Sequence, residues 1–219
     1  MAPPLPSDPS LAAFGSSLTA ITLAELGDKT FFMALILAVR HRARWVFIGS
    51  FAALTAVTLI SLALGYGLRE LLPQSLVPWL AAVLFLSFGI KLLIDAQGMA
   101  ANAATEEKAE AEQAITTAES SKAFNTAWAV IWEAFVLVFI AELGDRTQFT
   151  TIFMATAPTQ VFSFGGLLAG TLLGHALVTW LAVGAGKWIG QWVNERLLYR
   201  LSGGLFLVFG LAALSQALS

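Results

Sequence analysis

The stretch Ala24-Glu25-Leu26-Gly27-Asp28-Lys29-Thr30 returns 117 positions later as Ala141-Glu142-Leu143-Gly144-Asp145-Arg146-Thr147. One Lys-to-Arg change separates the two copies. Gly49 and Gly166 keep the same offset, and Leu84-Phe85-Leu86-Ser87-Phe88-Gly89 matches Leu205-Phe206-Leu207-Val208-Phe209-Gly210 at an offset of 121. The chain reads as a duplicated unit, and each motif sits inside a long apolar run.

Six such runs are present, at about 11–39, 45–68, 76–96, 126–157, 161–184 and 197–218. Each is near or above the roughly 20 residues that cross about 30 Å of hydrocarbon. None alternates with period 2. A backbone in lipid must satisfy its own polar groups, so runs of this kind are helices. Composition agrees: with Gly counted and Tyr dropped, about 65% of the 219 residues are apolar, against roughly 45–50% in soluble domains. Charged residues make up 12% and mean hydropathy is +0.77. A water-facing globule of this size is excluded. The fold class is all-α integral membrane protein, six transmembrane helices arranged as two three-helix repeats.

The segments divide into a tail at 1–10, a first repeat at 11–97, a linker at 98–123 and a second repeat at 124–219. Met1 to Ser10 hold four Pro and no Lys or Arg, which argues for a disordered tail over a secretory signal or transit peptide. The linker is rich in Ala and Glu, with Glu106, Glu107, Glu110, Glu112 and Glu119, and reads as a solvated helix or spacer. With the N-terminus outside, the cytoplasmic connections receive Arg40, Arg42, Arg44, Lys91, Lys108, Lys122, Lys187, Arg196 and Arg200, and the other side receives Arg69. Both termini are then extracytoplasmic and the linker cytosolic. Three helices per unit is an odd number, so the second repeat runs upside down relative to the first. Many secondary transporters use this inversion to place a substrate site at the repeat interface.

The remaining cations, Lys29 and Arg146, belong to the motifs. Charges within a span cost a few kcal/mol each and must face the interior and partner one another. On a continuous helix Glu25 and Asp28 share a face, as do Glu142 and Asp145. Gly27 and Gly144 weaken the helix between the two acids and permit local unwinding that frees carbonyl oxygens. Four carboxylates against two cations leave −2, which one divalent cation neutralises. When the ion departs, protons must replace it or the site stays an uncompensated charge in low dielectric. Metal and protons compete for the same oxygens, the minimal chemistry of an antiporter. Lys29 and Arg146 lie four residues beyond Glu25 and Glu142, spaced to pair with and release them. Glu25, Asp28, Glu142 and Asp145 are the candidate metal ligands, with Thr30, Thr147, Gln148, Lys29 and Arg146 as secondary ligands or gating groups. Hard oxygen donors favour Ca²⁺, Mn²⁺ or Mg²⁺ over copper and zinc. They do not separate calcium from manganese. The alternative of plain salt bridges pinning two helices would need equal numbers of acids and bases, and both copies have an acidic surplus.

Two copies of Glu-x-Gly-Asp-(Lys/Arg)-(Thr/Ser), one per half and separated by an acidic loop, resemble the GDT family (Gcr-dependent translation factor family). That family includes the Golgi exchanger of animals and yeast and the manganese exchangers of chloroplasts and cyanobacteria. The resemblance spans essentially the whole chain. It implies export of Mn²⁺ and/or Ca²⁺ from the cytosol coupled to proton influx, with the motif acids as ligands and the metal as substrate, not cofactor. The short N-terminus looks like that of a bacterial or cyanobacterial member, in a bacterial inner membrane or thylakoid-type membrane.

Other features carry less. His175 shares a polar stripe with Thr171 and Thr179 and is a candidate proton relay or extra ligand, although its repeat counterpart, Thr58, cannot titrate and a packing role is favoured. Gly166, Gly170 and Gly174 form a small-residue row that suits close approach by the helix of run 11–39 or that of run 126–157, in preference to a homodimer seam. Trp45, Trp79, Trp128 and Trp132, and the segment 187–200 with Trp188, Trp192 and Tyr199, read as interfacial anchors in the lipid bilayer. The net charge of −2 gives no basic surplus for a nucleic acid. An intramembrane aspartyl hydrolase built on Asp28 and Asp145 is a second reading, but a cation beside each Asp would hold both ionised where one must keep a proton. A passive divalent channel is a third. No phosphate-binding loop is present to support an ATP-driven pump.

Overall fold

The structure is a computed structural model that describes residues 8–98, 104–119, 126–157, 163–189 and 195–218. Among these residues every regular element is an α-helix: α1 Pro9–Glu25, α2 Lys29–Arg40, α3 Ala43–Leu71, α4 Val77–Gly98, α5 Ala104–Glu119, α6 Ala127–Glu142, α7 Arg146–Thr156, α8 Phe164–Ile189 and α9 Glu195–Leu218. α1 starts earlier than composition suggests. Asp8 caps it, its side chain accepting the Ser10 N–H at 2.8 Å, and Pro9 fits the first turn, where a missing N–H costs nothing. The expected tail at 1–10 therefore gives up Pro9 and Ser10 to helix, and residues 1–7 lie outside the described residues.

Among the described residues, α3, α4, Phe164–Gly184 of α8 and Arg196–Leu218 of α9 are long and apolar enough to cross a bilayer. α6 and α7 make a fifth crossing if the pair, bent by 68°, counts as one. The first apolar run differs from the expected continuous helix. It is split into α1, 17 residues, and α2, 12 residues, with the break inside the motif.

The polarity of the molecule is that of a protein in lipid. Val83, Ile94, Trp128, Ile140, Trp180 and Val208 face outward, whereas Glu25, Thr30, Ser50, Thr58, Glu142, Thr147, Thr151, His175 and Thr179 are buried. Small residues let the helices close over this polar interior. The row Gly166, Gly170, Gly174 on α8 lies against α1, where an added Cβ would strike the Ser10 carbonyl, the Phe14 carbonyl and Ser17, and Ile21 in turn. Gly49, the counterpart of Gly166, lies in the same way against Ile131 and Ala134 of α6. The glycine row therefore serves packing within the chain.

Exchanging the first four helices with the last four carries the α1–α8 contact onto α6–α3 and the α2–α8 contact onto α7–α3. The α4–α9 contact maps onto itself. There Phe85 stacks on its own counterpart Phe206, with ring centroids 6.0 Å apart, and Gly89 meets Leu207 while Gly210 meets Leu86. α5 is more than a spacer: it packs against α2, with Ala111 and Ile115 fully buried in the same apolar cluster as Phe31 and Leu37.

Candidate cation site

Both motifs break their helices in the same way. α1 and α6 end at Glu25 and Glu142, and the next residues, Leu26 (φ −65°, ψ 116°) and Leu143 (φ −66°, ψ 114°), turn to extended backbone. Gly27 (φ 79°) and Gly144 (φ 87°) then take the left-handed conformation that only glycine adopts without strain. Asp28 and Asp145 follow as extended N-cap residues of α2 and α7. The Asp28 and Asp145 N–H groups still donate to the Glu25 and Glu142 carbonyls, at 3.2 and 3.1 Å. The expectation that each Glu and Asp share one helical face is corrected accordingly. Two residues of non-helical backbone lie between them, and each acid is aimed by the end of a different helix.

This local geometry gathers three carboxylates. Ligand oxygens of Glu25, Glu142 and Asp145 lie within 4.8 Å of one another. Glu25 and Glu142 are almost wholly buried and Asp145 is about one-fifth exposed at its side chain. The threonines of the motif orient them. Thr30 donates its hydroxyl to Glu25 Oε2 at 2.8 Å, and the Thr147 hydroxyl lies against Glu142 Oε1 and, at 3.3 Å, Asp145 Oδ2. Glu25 Oε1 and Glu142 Oε2 are buried without a hydrogen-bond partner. Buried carboxylate oxygens that lack a donor fit a cation: the oxygen set matches Ca²⁺, Mn²⁺ and Mg²⁺, and three oxygens this close can share one ion.

The remaining motif residues lie elsewhere. Asp28 is outside the trio, and its Oδ1 accepts from Arg146 Nη2 of the opposite motif at 2.6 Å. Arg146 also faces Asp145 Oδ1 at 3.9 Å and lies over the Tyr199 ring, 5.5 Å from its centroid. Tyr199 thus has a role beyond interfacial anchoring. Lys29 does not reach Glu25 but pairs with Glu110 of α5 at 3.0 Å. Gln148 turns back on its own break, its Oε1 accepting the Gly144 N–H at 2.6 Å, and is a local cap in this conformation. His175, on α8, brings Nδ1 to 3.9 Å from Glu25 Oε1.

A fourth buried acid, after Glu25, Asp28 and Glu142, escapes the motif-based count. Glu133 of α6 is 5% exposed, with its carboxylate 3.6 Å from His41 at the α2–α3 turn. Its signal in the sequence is one acid within the apolar run 126–157, outside either motif. Ser202 is another omission: on α9, its hydroxyl donates to the Leu23 carbonyl at 2.8 Å, one turn before the first break.

Comparison with known proteins gives this geometry a family. The model of a family described as divalent cation/proton antiporter GDT1 matches residues 13–100 and 130–219. The chain is 39% identical over 204 residues to a GDT1-like protein, sll0615, of Synechocystis, covering 93% of this chain and 97% of that one. It is 38% identical to the chloroplastic protein PAM71 of Arabidopsis thaliana and 36% identical to the chloroplastic GDT1-like protein 1 of Oryza sativa subsp. japonica, each over 216 residues. These matches cover 94% and 93% of this chain. The chain spans nearly all of the cyanobacterial relative and about three fifths of the chloroplast ones, 57% and 62%. No solved structure matches it. Membership places the chain among membrane transporters and against the hydrolase reading: it belongs to the GDT1 family of divalent cation/proton antiporters.

Proposed function

We propose that this protein exports a divalent cation, Mn²⁺ and/or Ca²⁺, from the cytosol in exchange for protons, by alternating access at a site shared between two inverted repeats. The observation that carries this reading is the convergence of Glu25 from one motif with Glu142 and Asp145 from the other, ligand atoms within 4.8 Å of one another. Three like charges at that range are not stable empty in a dry interior, so the site holds either a metal ion or protons, and one displaces the other. The loaded forms reorient because their charge is compensated. The empty anionic form does not, and this links the two fluxes.

The matching breaks, the reciprocal α4–α9 contact and the exchange of helix contacts support a duplicated architecture in which α1 with α2, and α6 with α7, each count as one crossing. Six crossings with both termini extracytoplasmic and α5 cytosolic then satisfy the Lys and Arg distribution. The ion pairs break the symmetry. Arg146 reaches Asp28 of the opposite motif, whereas its counterpart Lys29 is held on Glu110. In the opposite access state the roles exchange: Arg146 releases Asp28, Lys29 takes Asp145, and Asp28 joins the ligands in its place. A two-state ion-pair swap of this kind is a discrete switch that a bound cation biases by drawing one Asp away from its partner.

The test is reconstitution into liposomes that enclose a metal-sensitive dye, with and without a pH gradient. Wild-type protein carries Mn²⁺ or Ca²⁺ at a rate set by the gradient, and Glu25→Gln and Glu142→Gln abolish that flux. Flux indifferent to the gradient would instead support the passive channel.

A further inference from the structure

Glu25 also borders a small cavity of about 10 Å³, whose polar lining is Glu25, Thr30, Ser50, His175 and Thr179 and whose remaining wall is apolar. That volume admits one water-sized occupant. Three atoms of its lining residues are buried without a hydrogen-bond partner: Glu25 Oε1, His175 Nδ1 and Ser50 Oγ. All three residues are at most 3% exposed. A histidine serving only to fill space next to a carboxylate would donate to it. Here Nδ1 and Oε1 stand 3.9 Å apart, too far for a hydrogen bond. Two donor atoms at this separation can both touch one ion at bond lengths of about 2.1–2.4 Å.

We propose that His175 is a ligand of the transported ion, supplying its Nδ1 lone pair opposite Glu25 Oε1, with Ser50 Oγ completing a mixed nitrogen and oxygen subsite that selects a transition-metal dication over Ca²⁺. This deepens the exchanger reading and rests on it. The selection follows from donor chemistry. Ca²⁺ takes six to eight oxygen ligands, and an imidazole in the wall puts nitrogen where one of them would stand. Imidazole nitrogen is a ligand of first-row transition ions and not of an alkaline-earth ion, so the mixed donor set shifts preference toward the former. The repeat counterpart of His175 is Thr58, an oxygen donor buried in α3, so the two halves offer the ion unlike partners.

The chain contains two histidines, His41 and His175, so nitrogen ligation can be assigned without ambiguity. The experiment is pulsed electron paramagnetic resonance on the purified full chain loaded with Mn²⁺, reading imidazole ¹⁴N modulation of the bound ion. The modulation is expected in wild type and in His41→Gln, and absent in His175→Gln. Titrations with Mn²⁺ and Ca²⁺ give the second readout. His175→Gln should weaken Mn²⁺ binding about tenfold and leave Ca²⁺ binding within about twofold. Bound Mn²⁺ in wild type without ¹⁴N modulation overturns the ligand assignment while leaving the exchanger intact, and so does an equal loss of both affinities in the variant. Wild-type protein that binds no Mn²⁺ overturns the subsite and counts against the exchanger reading as well.

Discussion

Replacing Glu142 by Gln removes one negative charge from a trio whose ligand atoms lie within 4.8 Å of one another. At an effective dielectric of about 20, each pair of like charges at that distance repels by about 3.5 kcal/mol when both are ionised. The substitution deletes two of the three pairs, about 7 kcal/mol before screening. Asp145 is one-fifth exposed at its side chain, so screening reduces its share, and a figure of about 3 kcal/mol is the conservative one. Without metal at pH 9, Glu142→Gln should therefore melt higher than wild type, by roughly 6–12 °C at about 2–4 °C per kcal/mol. With Mn²⁺ the gap nearly closes. Wild type gains about 2.7 kcal/mol at a metal concentration of 100 times Kd, whereas the variant, short of a ligand, gains little. The assay is thermal unfolding in detergent, with and without Mn²⁺. A metal-free variant less stable than wild type, or an equal Mn²⁺ shift in both, would refute the reasoning.

Further outcomes follow from the same geometry. In a double-mutant cycle, Arg146→Gln and Asp28→Asn each cost about 2–4 kcal/mol, because the pair is 2.6 Å long and mostly buried. Their effects on stability should fall short of additive by at least about 1 kcal/mol; strict additivity would show that the ion pair does not form. Gly144→Ala places an L residue at φ 87° with open space around the new Cβ, so its cost is backbone strain alone, about 1–2 kcal/mol by thermal unfolding, and Asn should cost less. An Ala variant as stable as wild type would mean the break does not require the left-handed turn. Mn²⁺ affinity should rise with pH, since ligands must shed protons before the metal binds: tenfold per unit for one displaced proton, and about a hundredfold for two. A flat profile in isothermal titration across pH 6–8 would contradict competition at a shared site.

The apolar runs and the paired motifs were legible in the sequence because both follow from local chemistry: transfer to lipid in the first case, repetition of an unusual hexapeptide in the second. Gly27 and Gly144 even signalled where the helices weaken. The size of the 68° bend between α6 and α7 was not legible, since the two pieces keep the composition of one span and hydropathy carries no sign of the angle that the turn at Gly144 takes. Equally hidden was the crossing of Arg146 to Asp28, which places partners 118 residues apart in preference to the nearby Glu142. Spacing along one helix favoured the local pair, and the break at Gly144 removed the helical geometry on which that spacing depended. The exposed glutamates of α5 read as a spacer, yet Ala111 and Ile115, two buried apolar positions one turn apart, are what seat it on α2. Glu133 was masked by the apolar run around it, because its neighbour His41 belongs to a distant turn.

The shared character of the site is best tested by counting bound Mn²⁺ per chain in equilibrium dialysis, for wild type, Glu25→Gln and Glu142→Gln. A single site built from both motifs predicts one Mn²⁺ per chain, lost in either variant. Two Mn²⁺ per chain, with each substitution removing one, would show that the motifs act as separate sites and contradict it.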